Sequence, residues 1–268
     1  MRGGRRRGTR RALGALLVAL VVVASGAATA GGERTQDGHL IVSLDGGLSP
    51  LTLPRDHPAP VSVRLAGGLR TTDGTILPRV TRIELSLPGQ GVLDTRGLPV
   101  CPARRIRNAP TAVALEACRG ALVGRGKLEA QVHVPNQPPF AVQAKLLAFN
   151  GRVRGRRAVI FHGFAPNPPT VVVLPFLLRL ETGPVRTRLV ADLPPGLGPW
   201  PHFADFELRL FRRFRFAGRE RSYVSASCPI PKRFTAGFFS FAKASFTLAG
   251  GRRVGTSITR SCRARPDR

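Results

Sequence analysis

A period of two in the apolar residues constrains the fold of this chain more than any other feature. Ile83, Leu85 and Leu87 alternate with polar residues, and residues 128–134 and 185–193 follow the same rule. Alternation of this kind gives a β-strand one apolar face and one polar face. Helical periodicity is scarce, so the sequence predicts an all-β protein.

A short helix near residues 110–118 is the one helix that the pattern predicts. Pro110 suits a first helical turn, where its missing N–H has no helical partner in any case, and Val113 and Leu115 supply an apolar side. We therefore predict a large antiparallel β-sandwich over residues 39–268. In the alternative, two packed sandwiches meet near residues 100–126.

The first 30 residues have the composition of a secretory signal peptide. An arginine-rich start precedes an uncharged run over residues 12–30, which is dense in Leu and Val and closes on Ala28-Thr29-Ala30. We expect cleavage there to leave residues 31–38 as a loose polar segment. In the alternative interpretation, the run stays uncleaved and anchors the β domain to the membrane.

The chain has four cysteines, which export would place in an oxidising compartment as disulfides. Three pairings are open. The sequence favours Cys101 with Cys118 and Cys228 with Cys262, because each of these pairs brackets one local unit.

The charge of the chain is strongly positive. It carries 42 Lys and Arg against 15 Asp and Glu, a net charge of +27. Six arginines lie in residues 1–30, which leaves 27 − 6 = +21 on the exported part. Such a field attracts anionic polymers and lipid headgroups. Codon bias toward arginine is the competing explanation, since only four lysines accompany the arginines.

Residues 203–216 interleave phenylalanines with Arg209, Arg212, Arg213 and Arg215. This arrangement suits single-stranded nucleic acid, but an exported protein meets little of it, so no nucleic-acid partner is predicted. We interpret the segment as one long strand with a β-bulge at Arg212 and Arg213. Its four arginines are the predicted surface for anionic wall polymer or lipid.

Two shorter patterns carry local predictions. Asn150-Gly151 is a hairpin dipeptide, so a turn is expected there, followed by a solvated loop over residues 152–157. The apolar run over residues 171–180 is typical of a strand covered on both faces. Pro175 within that run predicts a bulge or a bend.

Known catalytic motifs are absent from the sequence. There is no G-x-S-x-G, H-E-x-x-H, EF-hand loop, P-loop or dinucleotide fingerprint. The five histidines lack zinc-ligand spacing. His57, beside Asp56 in a proline-rich loop, is the best single binding candidate, whereas His162 is interpreted as a hydrogen-bonded core residue. We therefore assign no catalytic residue, no metal ligand and no cofactor.

Five segments carry a resemblance that covers most of the exported part. They are RGLPVC at 96–101, CRGALVGRG at 118–126, LAFNG at 147–151, SYVSASC at 222–228 and TRSC at 259–262. Together they resemble a family of exported, β-rich, four-cysteine proteins of high-GC Gram-positive bacteria, to which no function is assigned. The resemblance implies secretion and a disulfide-stapled β fold, and it implies no activity.

From these features we expect an exported, non-enzymatic protein of the cell envelope that binds anionic wall polymer or lipid through its arginine-rich surface. A secreted hydrolase with a dispersed site is one alternative, and a membrane-tethered domain with an uncleaved leader is another. A deep pocket lined by His57 or His162, with an acid nearby, would favour the hydrolase.

Overall fold

The computed structural model describes residues 32–194 and 200–266, so the predicted leader lies outside the described residues. The first nine strands are β1 Glu33–Asp37, β2 Leu40–Ser49, β3 Thr52–Leu53, β4 Ala59–Pro60, β5 Ser62–Thr71, β6 Val80–Pro88, β7 Gly91–Leu93, β8 Leu122–Val132 and β9 Phe140–Val153. The other nine are β10 Arg156–Pro166, β11 Pro169–Leu180, β12 Val185–Asp192, β13 Pro201–Leu210, β14 Arg213–Phe216, β15 Arg219–Ser222, β16 Val224–Ala226, β17 Ala236–Leu248 and β18 Arg253–Ala264. The helices are α1 Ala103–Ile106 and α2 Thr111–Cys118, which runs into a 3-10 turn at Arg119–Ala121.

The predicted fold class is confirmed: the described chain is all-β, with a short helix at the expected place and two disulfides. Thirteen strands form one sheet in the order β1-β2-β5-β13-β8-β9-β10-β11-β12-β6-β17-β18-β3. Neighbouring strands within this sheet are antiparallel, except that β18 and β3 are parallel. Two small sheets, β4-β16-β7 and β14-β15, complete the fold.

The large sheet curls until distant strands meet across its inner face. The rings of Phe203 on β13 and Phe246 on β17 stack at 5.6 Å between centroids. At the edges, Thr35 Oγ1 on β1 donates to Thr256 Oγ1 on β18 at 2.9 Å. Arg260 on β18 bonds Asp45 on β2 at 2.7 Å. One sheet therefore supplies both packed layers.

The middle of strands β9 and β10, at residues 146–151 and 158–163, is buried on both faces. Their inward side chains, such as Ala148 and Val159, join the main core inside the curl. Their outward side chains, such as Phe149 and Ile160, form a second core beneath α1 and α2. The helices cover this outer face because alternate residues on both sides of these strands are apolar and must leave water.

Both disulfides have the pairing that the sequence favours. Cys101 and Cys118 close the helical segment with Cα atoms 5.4 Å apart. Cys228 and Cys262 lie 5.9 Å apart and fasten the loop after β16 to β18. The disulfides indicate an oxidising, extracytoplasmic environment.

Two boundaries differ from the sequence prediction. Residues 33–37, expected to be loose, form β1, which pairs with β2 across a turn at Gly38. The pattern missed this strand because all five of its residues are exposed. Residues 100–126 do not divide the sheet: β5 and β6, which precede them, pair with β13, β12 and β17, which follow them. The described residues form one compact unit.

The turn predicted at Asn150-Gly151 is wrong. Both residues lie inside β9 and are buried, and the hairpin turns at Arg154 and Gly155, which have φ of +48° and +76°. Asn150 is held in the strand because its amide donates to the carbonyls of Leu98 and Pro99, the latter at 2.9 Å. The expected loop over residues 152–157 is therefore a two-residue hairpin turn.

Pro175 lies in a strand that is regular at that point. β11 pairs with β10 in unbroken register through Pro175, opposite Ile160, so the predicted bulge is absent from this pairing. Proline lacks the N–H that a central strand needs. The neighbour β12 pairs only with residues Leu177 to Leu180, so no ladder bond toward β12 is lost at Pro175.

The described residues contain no helix of the length and apolar character that a membrane crossing requires.

We predict that Gly151→Ala destabilises the fold by about 1–3 kcal/mol, the usual cost of overpacking a core. A Cβ at this position would lie 2.3 Å from Ile160 Cγ1, in the core beneath the helices. Chemical denaturation measures the loss. Gly47→Ala on β2 is the matched control, because a Cβ there meets nothing within 4 Å. Equal stability of the two variants would contradict the packing described for β9 and β10.

Candidate functional site

An apolar cavity lies inside the curl of the sheet. Its volume is about 330 Å³, and its walls come from β6, β8, β9, β10, β11 and β13. The strands β13 and β6 are six places apart in the sheet order, so the cavity lies inside the curl of the sheet.

The cavity has space because several wall residues are small. Ala130, Ala144, Gly163 and Ala165 face it from three adjacent strands. Larger apolar side chains form the remaining walls. They are Ile83, Leu85, Leu128, Val132, Val142, Leu146, Phe161, Val172, Leu174, Phe176, Leu193, Phe203, Phe206 and Leu208.

The strand alternation directs these residues inward. On β9, Val142, Ala144 and Leu146 line the cavity. Gln143 and Lys145, which alternate with them, are exposed. On β13 the register shifts between Phe203 and Asp205. This irregularity lets Phe203 and Phe206, three positions apart, both face the cavity, which a regular period of two would not allow.

The cavity reaches the protein surface near Trp200. Trp200 lines the cavity while 48 % of its surface is exposed. Pro168 and Thr170 also line it and are exposed. Among the described lining residues, Glu129 is the only ionisable one, and its carboxylate accepts from Gln143 at 3.3 Å on the outer face. The interior can therefore bind by desolvation and shape, and it offers no paired acid and base.

Neither histidine candidate lies at the cavity. His57 is on the surface, with Nδ1 2.8 Å from Asp56 Oδ1 and most of its side chain exposed. His162 is fully buried on the outer side of β10, and its Nε2 donates to the carbonyl of Ala109 at 2.8 Å. The interpretation of His162 as a hydrogen-bonded core residue is confirmed.

The arginines predicted to form one surface lie on two elements. The chain leaves the large sheet after Leu210, so residues 203–216 form β13 and β14 instead of one bulged strand. Arg209 lies on β13, Arg212 in the link, and Arg213 and Arg215 on β14. Arg213 is 3.9 Å from Glu220. Binding of an anionic polymer or lipid by these four residues stays a prediction.

Asp94 fastens the β14–β15 hairpin to the neighbouring turn. Its carboxylate accepts bonds from Arg96 at 3.0 Å and from Arg221 at 2.9 Å. Partial burial opposes ionisation of Asp94, but the bonds from the two guanidinium groups outweigh it and lower the pKa to about 2. Phe216 of the hairpin packs on Gly97, where a Cβ would lie 2.2 Å from the ring.

Sequence reasoning missed the cavity. The alternation identifies which residues face inward. A small inward residue is indistinguishable from an ordinary core residue until the strand order shows that several of them lie side by side. The one usable signal was Trp200, the single tryptophan, next to a Pro/Gly loop.

Within residues 32–194 and 200–266, no group of three or more His, Cys, Asp or Glu residues is placed to hold a metal ion. Comparison with protein-family models, with curated proteins and with solved structures finds no match to this chain. The site is therefore interpreted from its own geometry.

His162 generates a prediction for the pH dependence of stability. Burial lowers its pKa below the ordinary 6.5, and the bond to Ala109 offsets this only in part. On acidification the unfolded chain therefore takes up a proton before the folded one does. The free energy of unfolding should fall as the pH drops below about 6.5, by up to about 1.4 kcal/mol per pH unit.

Urea unfolding between pH 7.5 and pH 5 measures this effect. His162→Gln keeps an N–H for the Ala109 carbonyl and cannot take up a proton, so it should lose this part of the pH dependence. His57→Gln, at an exposed position, should keep it. The same pH dependence in both variants would show that His162 does not contribute.

Proposed function

We propose that this chain is an exported, non-enzymatic binding protein that holds an apolar or lipidic ligand inside the curl of its sheet. The observation that carries the proposal is the cavity of about 330 Å³, which lies in the size range of small-molecule sites and is lined almost wholly by apolar side chains.

The energetics of the cavity favour an occupant. The apolar side chains of its walls have no packing partners on the cavity side, and they lose those contacts outright while the space is empty. A bound hydrocarbon chain would restore contacts, and each methylene that it buries contributes about 0.8 kcal/mol. Ala130, Ala144 and Gly163 keep space open where larger residues would fill the core.

The polarity of the walls defines the ligand class. A polar group deep in the cavity would lose its hydrogen bonds to water without replacement, at a cost of about 1–3 kcal/mol. A ligand therefore places an apolar part among Phe161, Phe203 and Phe206. Any polar end lies toward Trp200 and Thr170, where the cavity meets solvent. An acyl chain with a polar head fits this description.

The site of action in this proposal is outside the cytoplasm. The predicted leader and the two disulfides support export. The charge of +21 calculated for residues 31–268 would hold the protein near an anionic envelope, where lipidic ligands are found. The hydrolase alternative requires a histidine with an acid at the pocket, and neither His57 nor His162 lines it.

Trp200 provides a direct test, because it is the only tryptophan and it lines the cavity. We predict that a fatty acid brominated along its chain quenches the fluorescence of the purified chain 31–268 saturably. Ala144→Phe, which fills the cavity, should weaken this binding about tenfold or more, since it displaces several methylenes of ligand. The same variant should not lose stability, because the new ring occupies open space.

Gln143→Phe is the matched control. It adds a ring at the adjacent residue, on the exposed face of β9, and should bind like the wild type. The proposal fails if quenching does not saturate, or if Ala144→Phe and Gln143→Phe bind equally well.

A further inference from the structure

A second pocket lies at the far end of β9 and β10 from Trp200. Its volume is about 160 Å³. Asn150 and Gly151 form its buried floor, and residues 95–98 together with Val100 form one wall. Asn150 is eight residues from Val142 along β9, which is about 25 Å at the rise of a strand. The pocket is thus separate from the apolar cavity.

Three arginines line this pocket, Arg96, Arg152 and Arg157. Arg152 on β9 and Arg157 on β10 are direct cross-strand partners. Like charges directly opposite one another in a sheet repel and destabilise it.

Carboxylates do not offset this repulsion. Asp94 is bonded to Arg96 and already shared with Arg221. Among the described residues, the Arg152 side chain donates to the carbonyl of Gly155, at 3.3 Å, and to no carboxylate. In the part of the chain that the structure describes, neither Arg152 nor Arg157 has an ion pair with an acid. The pocket therefore carries a net positive charge.

The walls of this pocket are held in place independently of any ligand. The buried side chain of Asn150 donates to the carbonyls of Leu98 and Pro99. The backbone carbonyl of Asn150 accepts from the backbone N–H of Cys101 at 2.9 Å. Asp94 fixes Arg96 through two bonds, one to each carboxylate oxygen. Such support lowers the cost of ordering the site when an anion binds.

We propose that this pocket binds a phosphoryl group. Planar guanidinium groups match the oxygens of a tetrahedral oxyanion and bond them in pairs. A water needs about 10–15 Å³, so the pocket has ample space for a phosphate group. The bound anion lies between Arg152 and Arg157 and cancels their repulsion.

The test is calorimetric titration of the chain 31–268 with inorganic phosphate, against chloride at matched ionic strength. Wild type binds phosphate, and Arg152→Gln and Arg157→Gln each bind about tenfold more weakly, as expected for the loss of a charge-assisted bond. Without phosphate, both variants unfold at an unchanged or higher temperature, because a like charge has been removed. A purely structural arginine would give a lower unfolding temperature.

Arg156→Gln is the matched control, since it removes the same charge from the same hairpin on the opposite face of β10 and should leave phosphate binding intact. The proposal is overturned if wild type shows no phosphate binding beyond the chloride reference. It is also overturned if Arg156→Gln weakens binding as much as Arg152→Gln does.

A second arm distinguishes the sources of the phosphoryl group. If the protein sediments with phosphatidylglycerol vesicles, if added phosphate prevents this, and if the protein does not sediment with phosphatidylcholine vesicles, the site binds anionic lipid headgroups. Phosphate binding without vesicle binding assigns it to a soluble phosphate. Both results support the site, and neither depends on the apolar cavity, which the Ala144→Phe variant tests separately.

Discussion

The pairing of β13 with both β5 and β8 holds the sheet together. Without β13, the strands β1, β2 and β5 have no backbone bonds to the block that runs from β8 to β12. The same strand closes the curl, because Phe203 stacks on Phe246 of β17. Phe206 and Leu208 then form a wall of the cavity. The fold and the proposed binding site therefore depend on the same ten residues.

The sequence predicted the elements of the fold better than their connections. Alternation over residues 82–87 and 185–193 located β6 and β12, and Pro110 located α2, since these signals are local. The sequence did not predict that β6 and β12 pair with each other, because backbone pairing between distant strands leaves no local mark. For the same reason β1 was missed: it is held by its backbone and has no apolar face.

The failures at Asn150-Gly151 and at the cavity have a common physical cause. Asn-Gly favours a turn, but burial and the bonds from Asn150 to Leu98 and Pro99 override that preference. The cavity arises from Ala144 and Gly163 on adjacent strands, and their effect is visible only after the sheet has closed. Tertiary contacts decide both features. The assignment of His162 to the core, in contrast, needed only its position in the alternation of its own strand.

The central claim is that the curled sheet encloses an apolar ligand. Native mass spectrometry of the protein, isolated from the cells that produce it, tests this most directly. We predict a mass above that of the polypeptide, which organic extraction removes and which Ala144→Phe lacks. The account would be contradicted if the protein showed only the mass of its polypeptide under gentle conditions and if its organic extract contained no apolar molecule.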